Sequence, residues 1–225
     1  MRPRLSIVMP VLDEAAGIVG ALQALAPLRA RGAEIIVVDG GSRDDTPALA
    51  AAQAARVLAS PSGRARQMNR GAAVARGDLL LFLHADTRLP EGADLLLQRA
   101  LDAGAQWGRF DVRIGGRAFM LRVVAALMNL RSRWSGIATG DQALFVRRDL
   151  FERIGGYAEL PLMEDVELSR RLRAWAAPHC LRQRVTTSGR RWEQRGVWRT
   201  IFLMWRLRWR YWRGASPQAL AEAYR

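Results

Sequence analysis

An imidazole and a carboxylate stand two residues apart at the end of an apolar run, Leu81-Phe82-Leu83-His84-Ala85-Asp86. Residues i and i+2 of an extended segment face the same side, so His84 and Asp86 could together hold a divalent cation. Mg2+ would take few protein ligands and complete its shell with phosphate oxygens and water, whereas Mn2+ tolerates an imidazole better. The alternative is that His84 is a core histidine or orients a neighbour and that Asp86 simply caps a turn. A second group, Met163-Glu164-Asp165-Val166-Glu167, opens a helical pattern after Pro161 with three carboxylates. Acids there can serve the helix dipole alone. Yet Glu164 and Asp165 follow an apolar Leu-Met pair, which points them toward a cleft where one carboxylate could act as general base toward a hydroxyl.

Further acids mark the ends of other apolar runs. Asp13 and Glu14 follow Leu5–Met9, and Asp39 follows Glu34–Val38. In an open parallel α/β sheet, ligands bind outside the carboxyl ends of the strands, so these acids and Asp86 should converge. Capping of the following helices is the simpler role for each alone. Gly40 and Gly41 let backbone approach a ligand closely, and Asp39 could accept hydrogen bonds from ribose hydroxyls or a base edge. Gly63-Arg64-Ala65-Arg66-Gln67 adds a cationic helix start, suited to a diphosphate.

Those positions require a scaffold. Strands are expected at 5–9, 34–38, 56–59 and 78–83, and helices at 15–31, 44–55 and 64–76, the last closed by Gly77. Uninterrupted apolar strands alternating with helices predict an α/β fold with a mostly parallel central sheet covered on both faces. Residues 107–114 and 143–147 read as further strands, and 117–133 and 163–175 as helices. One domain over 1–225 is expected: a nucleotide-binding half to about residue 88, an acceptor half to about 195, and a basic aromatic helix beyond.

Half the residues are apolar, which excludes disorder for the bulk of the chain. The net charge is +14, and all 35 basic residues are arginine. Arginine suits phosphate, so phosphorylated substrates, anionic lipid and nucleic acid are the partner classes charge alone allows. The single cysteine, Cys180, excludes an internal disulfide or a multi-cysteine metal site. Met1-Arg-Pro-Arg leads straight into an apolar run too short for a signal peptide, and no stretch reaches the ~18 apolar residues of a spanning helix. A cytoplasmic protein is expected.

Taken together, Ser6–Glu14, Val38-Asp39-Gly40-Gly41-Ser42 with Asp44 and Thr46, His84-Ala85-Asp86, Gly155-Gly156-Tyr157 and Glu164-Asp165 resemble the family-two inverting glycosyltransferases of GT-A fold. The run Gly63–Asn69, with Gly140-Asp141-Gln142 and Ser188–Trp192, is similar to a narrower bacterial subgroup of short members. The resemblance runs from about residue 5 to about residue 195. It implies a nucleoside-diphosphate-sugar donor, UDP- or GDP-linked, held by Pro10, Val11, Asp13, Glu14, Asp39, Gly40, Gly41, Arg64, Gln67, Ala85 and Asp86. It further implies a divalent cation (Mg or Mn) at Asp86 with His84, and Asp165 as catalytic base beside Glu164. Asp141, Gln142, Arg190, Arg191 and Trp192 would lie near the diphosphate or acceptor. The family's usual Asp-x-Asp stands here as His84-Ala85-Asp86, a departure that bears on the metal.

Residues 198–213 combine five arginines with aromatic and aliphatic residues. As a helix, Arg199, Arg206, Arg210 and Arg213 form a stripe, and Arg208 interrupts the apolar arc. Such a helix fits an anionic membrane surface, with Trp at the interface, or packs on the core. A lipid-linked acceptor and a peripheral position on the inner face of the membrane would follow from the first. A nucleic-acid-binding module explains the charge but not the ordered acids, so no nucleic acid is expected. A nucleotidyltransferase, or a relative that binds nucleotide without catalysis, is also compatible with the first half.

Overall fold

The computed structural model describes residues 4–53 and 56–224, with the side chain of Arg191 outside the described set. The first half alternates strand and helix: β1 (Leu5–Val11), α1 (Ala15–Ala30), β2 (Glu34–Asp39), α2 (Thr46–Ala52), β3 (Arg56–Ala59), α3 (Arg64–Val74) and β4 (Leu79–Phe82). Then come β5 (Thr87–Arg88), α4 (Ala93–Asp102), β6 (Trp107–Ile114), α5 (Met120–Ser135), a 3-10 turn at Gly140–Gln142, β7 (Phe145–Arg147), α6 (Arg148–Arg153) and α7 (Glu164–Arg173). The chain ends with β8 (His179–Thr187), α8 (Arg190–Arg195), α9 (Val197–Trp212) and α10 (Pro217–Tyr224).

All eight strands join one sheet in the order β3-β2-β1-β4-β7-β6-β8-β5. The β3-β2-β1-β4 block is parallel, as is β6-β8, while β7 and β5 pair antiparallel. The sheet is therefore mixed, and strands from both halves of the chain are continuous in it. Alternation explains the uninterrupted apolar runs. Ile7 and Met9 of β1 enter one core layer with Ile18, Leu22 and Phe145, while Val8 enters the other with Met68, Phe82 and Trp107. A strand buried on both faces needs apolar residues at every position.

Several boundaries differ from the sequence expectation for identifiable reasons. Strand β1 runs through Pro10 to Val11. The β1–β4 register ends at Val8↔Phe82, so the N–H that Pro10 lacks has no partner strand to serve. Helix α2 begins at Thr46 rather than at 44, because Asp44 turns its carboxylate onto the N–H groups of Thr46 (3.0 Å) and Ala15 (3.0 Å). Strand β8 lies outside the sequence expectation: its exposed Arg182, Gln183 and Arg184 hide the strand pattern, and a register shift opposite Phe110/Asp111 breaks the alternation.

The tail helix has two faces. Thr200 and Leu207 of α9 are buried, with Leu207 packed against Leu162, Met163 and Leu220 of α10. Trp198, Phe202, Trp205, Trp209 and Trp212 are exposed on it. No helix among the described residues is long and apolar enough to cross a membrane.

Gly71 of α3 reports how closely that helix lies on the sheet. A Cβ there would stand 2.4 Å from Val8 Cγ1 and 3.0 Å from Val38 Cγ2. Alanine gains roughly 1 kcal/mol of helix propensity over glycine, but overpacking of this kind costs about 1–3 kcal/mol. Gly71→Ala should therefore lower stability in urea unfolding, whereas an increase would mean that α3 can move off the sheet.

Candidate active site

The carboxyl ends of β2, β1 and β4 lie side by side, and the loops that follow β3, β1 and β4 form one edge of a cleft of about 670 Å³. Pro10, Val11, Glu14, Arg64, Gln67 and His84 line it, as do Ala85, Asp86, Asp141, Asp165, Arg190 and Trp192. Most residues expected at a ligand site thus meet in one place. Gln67 fastens the corner: its Nε2 donates to the carbonyls of Val11 and Val38, both at 2.8 Å. Asp39, Gly40, Gly41, Asp13, Glu164 and Gln142 do not line this cleft.

Asp39 accepts from the N–H of Gly41 (3.0 Å) and Ser42 (3.1 Å) and from the Ser42 hydroxyl, so its carboxylate shapes its own loop. Asp13, with φ at 54°, accepts from the Arg43 N–H at 2.7 Å and clips the β1 loop to the β2 loop. Gln142 is fully buried and closes the 3-10 turn on Thr139. His84-Ala85-Asp86 is a turn, not an extended segment, closed by Thr87 N–H donating to His84 carbonyl at 3.0 Å. The i, i+2 premise for a shared ligand pair fails accordingly. The His84 ring packs against Gly140, with Nδ1 3.7 Å from Asp141 Oδ1.

Among the described residues no three His, Cys, Asp or Glu side chains form a metal cage. The residues nevertheless suit a cation that shares its shell with phosphate, which needs only one or two carboxylates. Asp86 is exposed to the cleft, and burial together with the Asp86 charge holds the Glu14 carboxyl above its usual range, partly offset by Arg190. A cation would relieve that repulsion.

Helix α7 starts at Glu164 after Met163 in a left-handed conformation. The two acids part company there. Glu164 is buried and meets Arg64 Nη1 at 3.7 Å; burial and the neighbouring Asp165 raise its pKa. Asp165 Oδ2 accepts the Gly140 N–H at 2.8 Å and Oδ1 accepts the Val166 N–H at 2.7 Å. A carboxylate has about four lone-pair sites, so Asp165 keeps acceptor capacity toward the cleft.

Asp165 also lines a second cavity of about 780 Å³ between α5 and α9. Its walls are mostly apolar, with Leu127, Leu130 and Trp134 from α5 and Ile201, Met204 and Trp205 from α9. Arg131 and Arg208 face into the same cavity. Sequence reasoning missed both; the one signal was Arg208 breaking the apolar arc of the tail helix. The two cavities share Arg64, Asp141, Asp165, Trp192, Met204 and Tyr224.

Residues 6–158 match the family described as Glycosyl transferase family 2, and the chain belongs to that family. Its fold is the GT-A fold. A PGL/p-HBAD biosynthesis glycosyltransferase of Mycobacterium tuberculosis is 32% identical over 172 residues, 69% of this chain and 63% of the relative. This chain thus spans less than two thirds of that relative's length. Among solved structures, the mannosyltransferase PcManGT from Pyrobaculum calidifontis in complex with GDP-Man and Mn2+ is similar at a TM-score of 0.65 and 20% identity, over 92% of this chain and 61% of that one. S. aureus TarS 1-349 in complex with UDP gives a TM-score of 0.65 at 16% identity, over 82% and 60%.

The raised pKa of Glu164 fixes a pH signature. The folded chain binds this proton more tightly than the unfolded chain. Stability relative to a Glu164→Gln variant should fall as pH rises from the ordinary glutamate range through the raised folded value, then level off. Melting curves of both proteins across mildly acidic to neutral pH measure it. A difference independent of pH would show that the Arg64 pairing balances burial, and one that rises with pH would show that it outweighs burial.

Proposed function

We propose that the chain moves a sugar from a UDP- or GDP-linked donor to an acceptor hydroxyl with inversion, Asp165 being the general base. The observation that carries this is the position of Asp165 on both cavities, its carboxylate oriented by the Gly140 N–H. The donor occupies the cleft at the strand ends, with Arg64 and Arg190 toward the diphosphate. The acceptor enters from the α5–α9 side. Asp165 takes the acceptor proton, the acceptor oxygen bonds to the anomeric carbon, and the C–O bond to the diphosphate breaks with its electron pair leaving on phosphate. A divalent cation held by Asp86, with Glu14 beside it, would neutralise charge on the departing diphosphate; His84 and Asp141 orient that corner. The UDP and GDP-Man bound in the two structural neighbours, and the Mn2+ of one of them, support this choice.

By this account residues 1–88 bind the donor, 89–195 meet the acceptor, and 196–225 bring the enzyme to the inner face of a membrane. Support for the last comes from the exposed aromatic stripe of α9 and from Phe119, Leu127, Leu130 and Trp134 (90% exposed) on and beside α5. Aromatic side chains partition to the interface, and the arginines beside them attract anionic lipid.

Asp165→Asn keeps shape but removes the proton acceptor. It should lower kcat by about 10²-fold or more while leaving UDP or GDP binding, measured calorimetrically with Mn2+, unchanged. Asp86→Ala should weaken that metal-dependent binding more than His84→Ala. Near-normal turnover of Asp165→Asn, or no nucleoside diphosphate bound by the native protein, would defeat the assignment.

Co-sedimentation with phosphatidylglycerol vesicles should exceed that with phosphatidylcholine and should decline with salt. Trp209→Glu together with Trp212→Glu should weaken it. Equal binding to both vesicle types, or none, contradicts membrane docking.

A further inference from the structure

The α5–α9 cavity has a chemistry of its own. Apolar side chains form most of its wall, and its rim residues Leu127, Leu130, Trp134 and Trp205 are exposed, so the cavity is reached from the aromatic surface rather than through the donor cleft. Inside it sit two guanidinium groups. Nε and Nη2 of Arg131 are buried and have no hydrogen-bond partner among the described residues. Burial, with the Arg208 charge beside it, pushes the Arg131 pKa down to about 10. Burial also lowers Arg208, opposed by the negative charges of Asp165 and Asp141. Both arginines remain charged at neutral pH.

Two like charges in an apolar cavity, one with orphaned donors, are unfavourable for the empty protein. A buried donor without a partner costs about 1–3 kcal/mol, more when charged, and native structures leave few such groups unexplained. Asp141, Glu164 and Asp165 also line the cavity. Asp165 bears on both arginines, while its hydrogen bonds come from the Gly140 and Val166 N–H groups rather than from either guanidinium, and the Arg131 donors stay unmet. An anionic ligand would meet the unpaired donors and offset the mutual repulsion. Its remaining part must be apolar to fill a cavity walled by α5 and α9.

We propose that this cavity binds the acceptor and that the acceptor is a membrane-borne amphiphile. Its apolar chain lies between α5 and α9, and its anionic group, a phosphate or carboxylate, rests on Arg131 and Arg208. This specifies the acceptor class for the transfer assigned above and rests on that assignment. The amphiphile's reacting oxygen then lies beside Asp165, on the donor side of the shared wall. Entry from the exposed aromatic rim lets the chain leave a bilayer without crossing water. Arg208, on the tail helix, becomes part of the acceptor site rather than of the lipid-facing stripe.

Decyl phosphate, decanoate, decanol and inorganic phosphate separate the contributions. Binding is read from tryptophan fluorescence, since Trp134, Trp192 and Trp205 line the cavity, below the concentrations at which micelles form. Decyl phosphate and decanoate should bind at least about ten-fold tighter than decanol, the scale of one charge-assisted hydrogen bond, and inorganic phosphate should not register. Arg131→Met and Arg208→Met should each remove that preference while leaving decanol and UDP binding intact. Arg131→Met should also melt at or above the native temperature, because it deletes an uncompensated buried charge. Equal binding of decanol and the anionic probes, or unchanged preference in both variants, would overturn the proposal. Loss of fold in Arg131→Met would assign that residue a structural role, leaving Arg208→Met and the native comparison to decide. Absent UDP binding with the anion preference intact would instead defeat the glycosyltransfer mechanism and leave the cavity assignment standing.

Discussion

Arg109 is a charged side chain with no access to water, and much of the packing of α5 on β6 is built around satisfying it. Its Nη1 pairs with Asp111 two residues along the same strand, its Nε donates to Ser132 Oγ at 3.0 Å, and its Nη2 donates to the Asn129 carbonyl at 3.1 Å. Asp111 also takes Arg133 at 2.7 Å. These bonds hold α5 along β6. Asn129 continues the chain of constraint by bonding both the N–H and the carbonyl of Val112 (2.8 and 2.9 Å) while meeting Gln142 at 3.4 Å. Gln142 closes the 3-10 turn that aims the Gly140 N–H at Asp165. A buried polar network is stable only when every member is satisfied, so loss of one bond here would be felt at the Asp165 carboxylate.

That network gives one helix two duties. The inward side of α5 carries Asn129 and Ser132 to Arg109, and its next face carries Arg131, Leu127 and Trp134 to the α5–α9 cavity. The two cavities thereby meet across a shared wall near Asp165. The strand-end cleft is polar; the α5–α9 cavity is mostly apolar and holds Arg131 and Arg208, with Asp141, Glu164 and Asp165 also on its wall.

The strand-end acids were legible because two-face burial forces uninterrupted apolar runs, and the residues that stop them stand out. Glu14, Gln67, Asp86 and Asp165 line one cleft. Asp39 was legible as a special position, but local hydrogen bonds, invisible in a sequence, occupy it. The i, i+2 argument for His84 and Asp86 failed because a backbone turn replaced the extended conformation it assumed. Strand β8 was hidden by three consecutive exposed polar residues. Arg131 carried no local signature at all, since a guanidinium within a helix reads as solvated until another helix covers it. Arg208 left a trace, a charge in the wrong part of a helical wheel, whose meaning depends on what α9 packs against.

The hydroxyl of Thr87 donates to that of Thr187, 100 residues later, where the short β5 meets β8. During synthesis the parallel block from β1 to β4 can assemble early, because all of its strands precede residue 83. The edge formed by β6 must wait for β8 to emerge, and until then its ladder groups stay open to other chains. The wall of the cleft nearest Ser188 and Arg190 is thus among the later parts of the fold to form. A ribosome-bound chain stalled before β8 would hold the loops after β1 and β4 and an unprotected strand edge, the kind of surface that makes partly folded chains prone to aggregate.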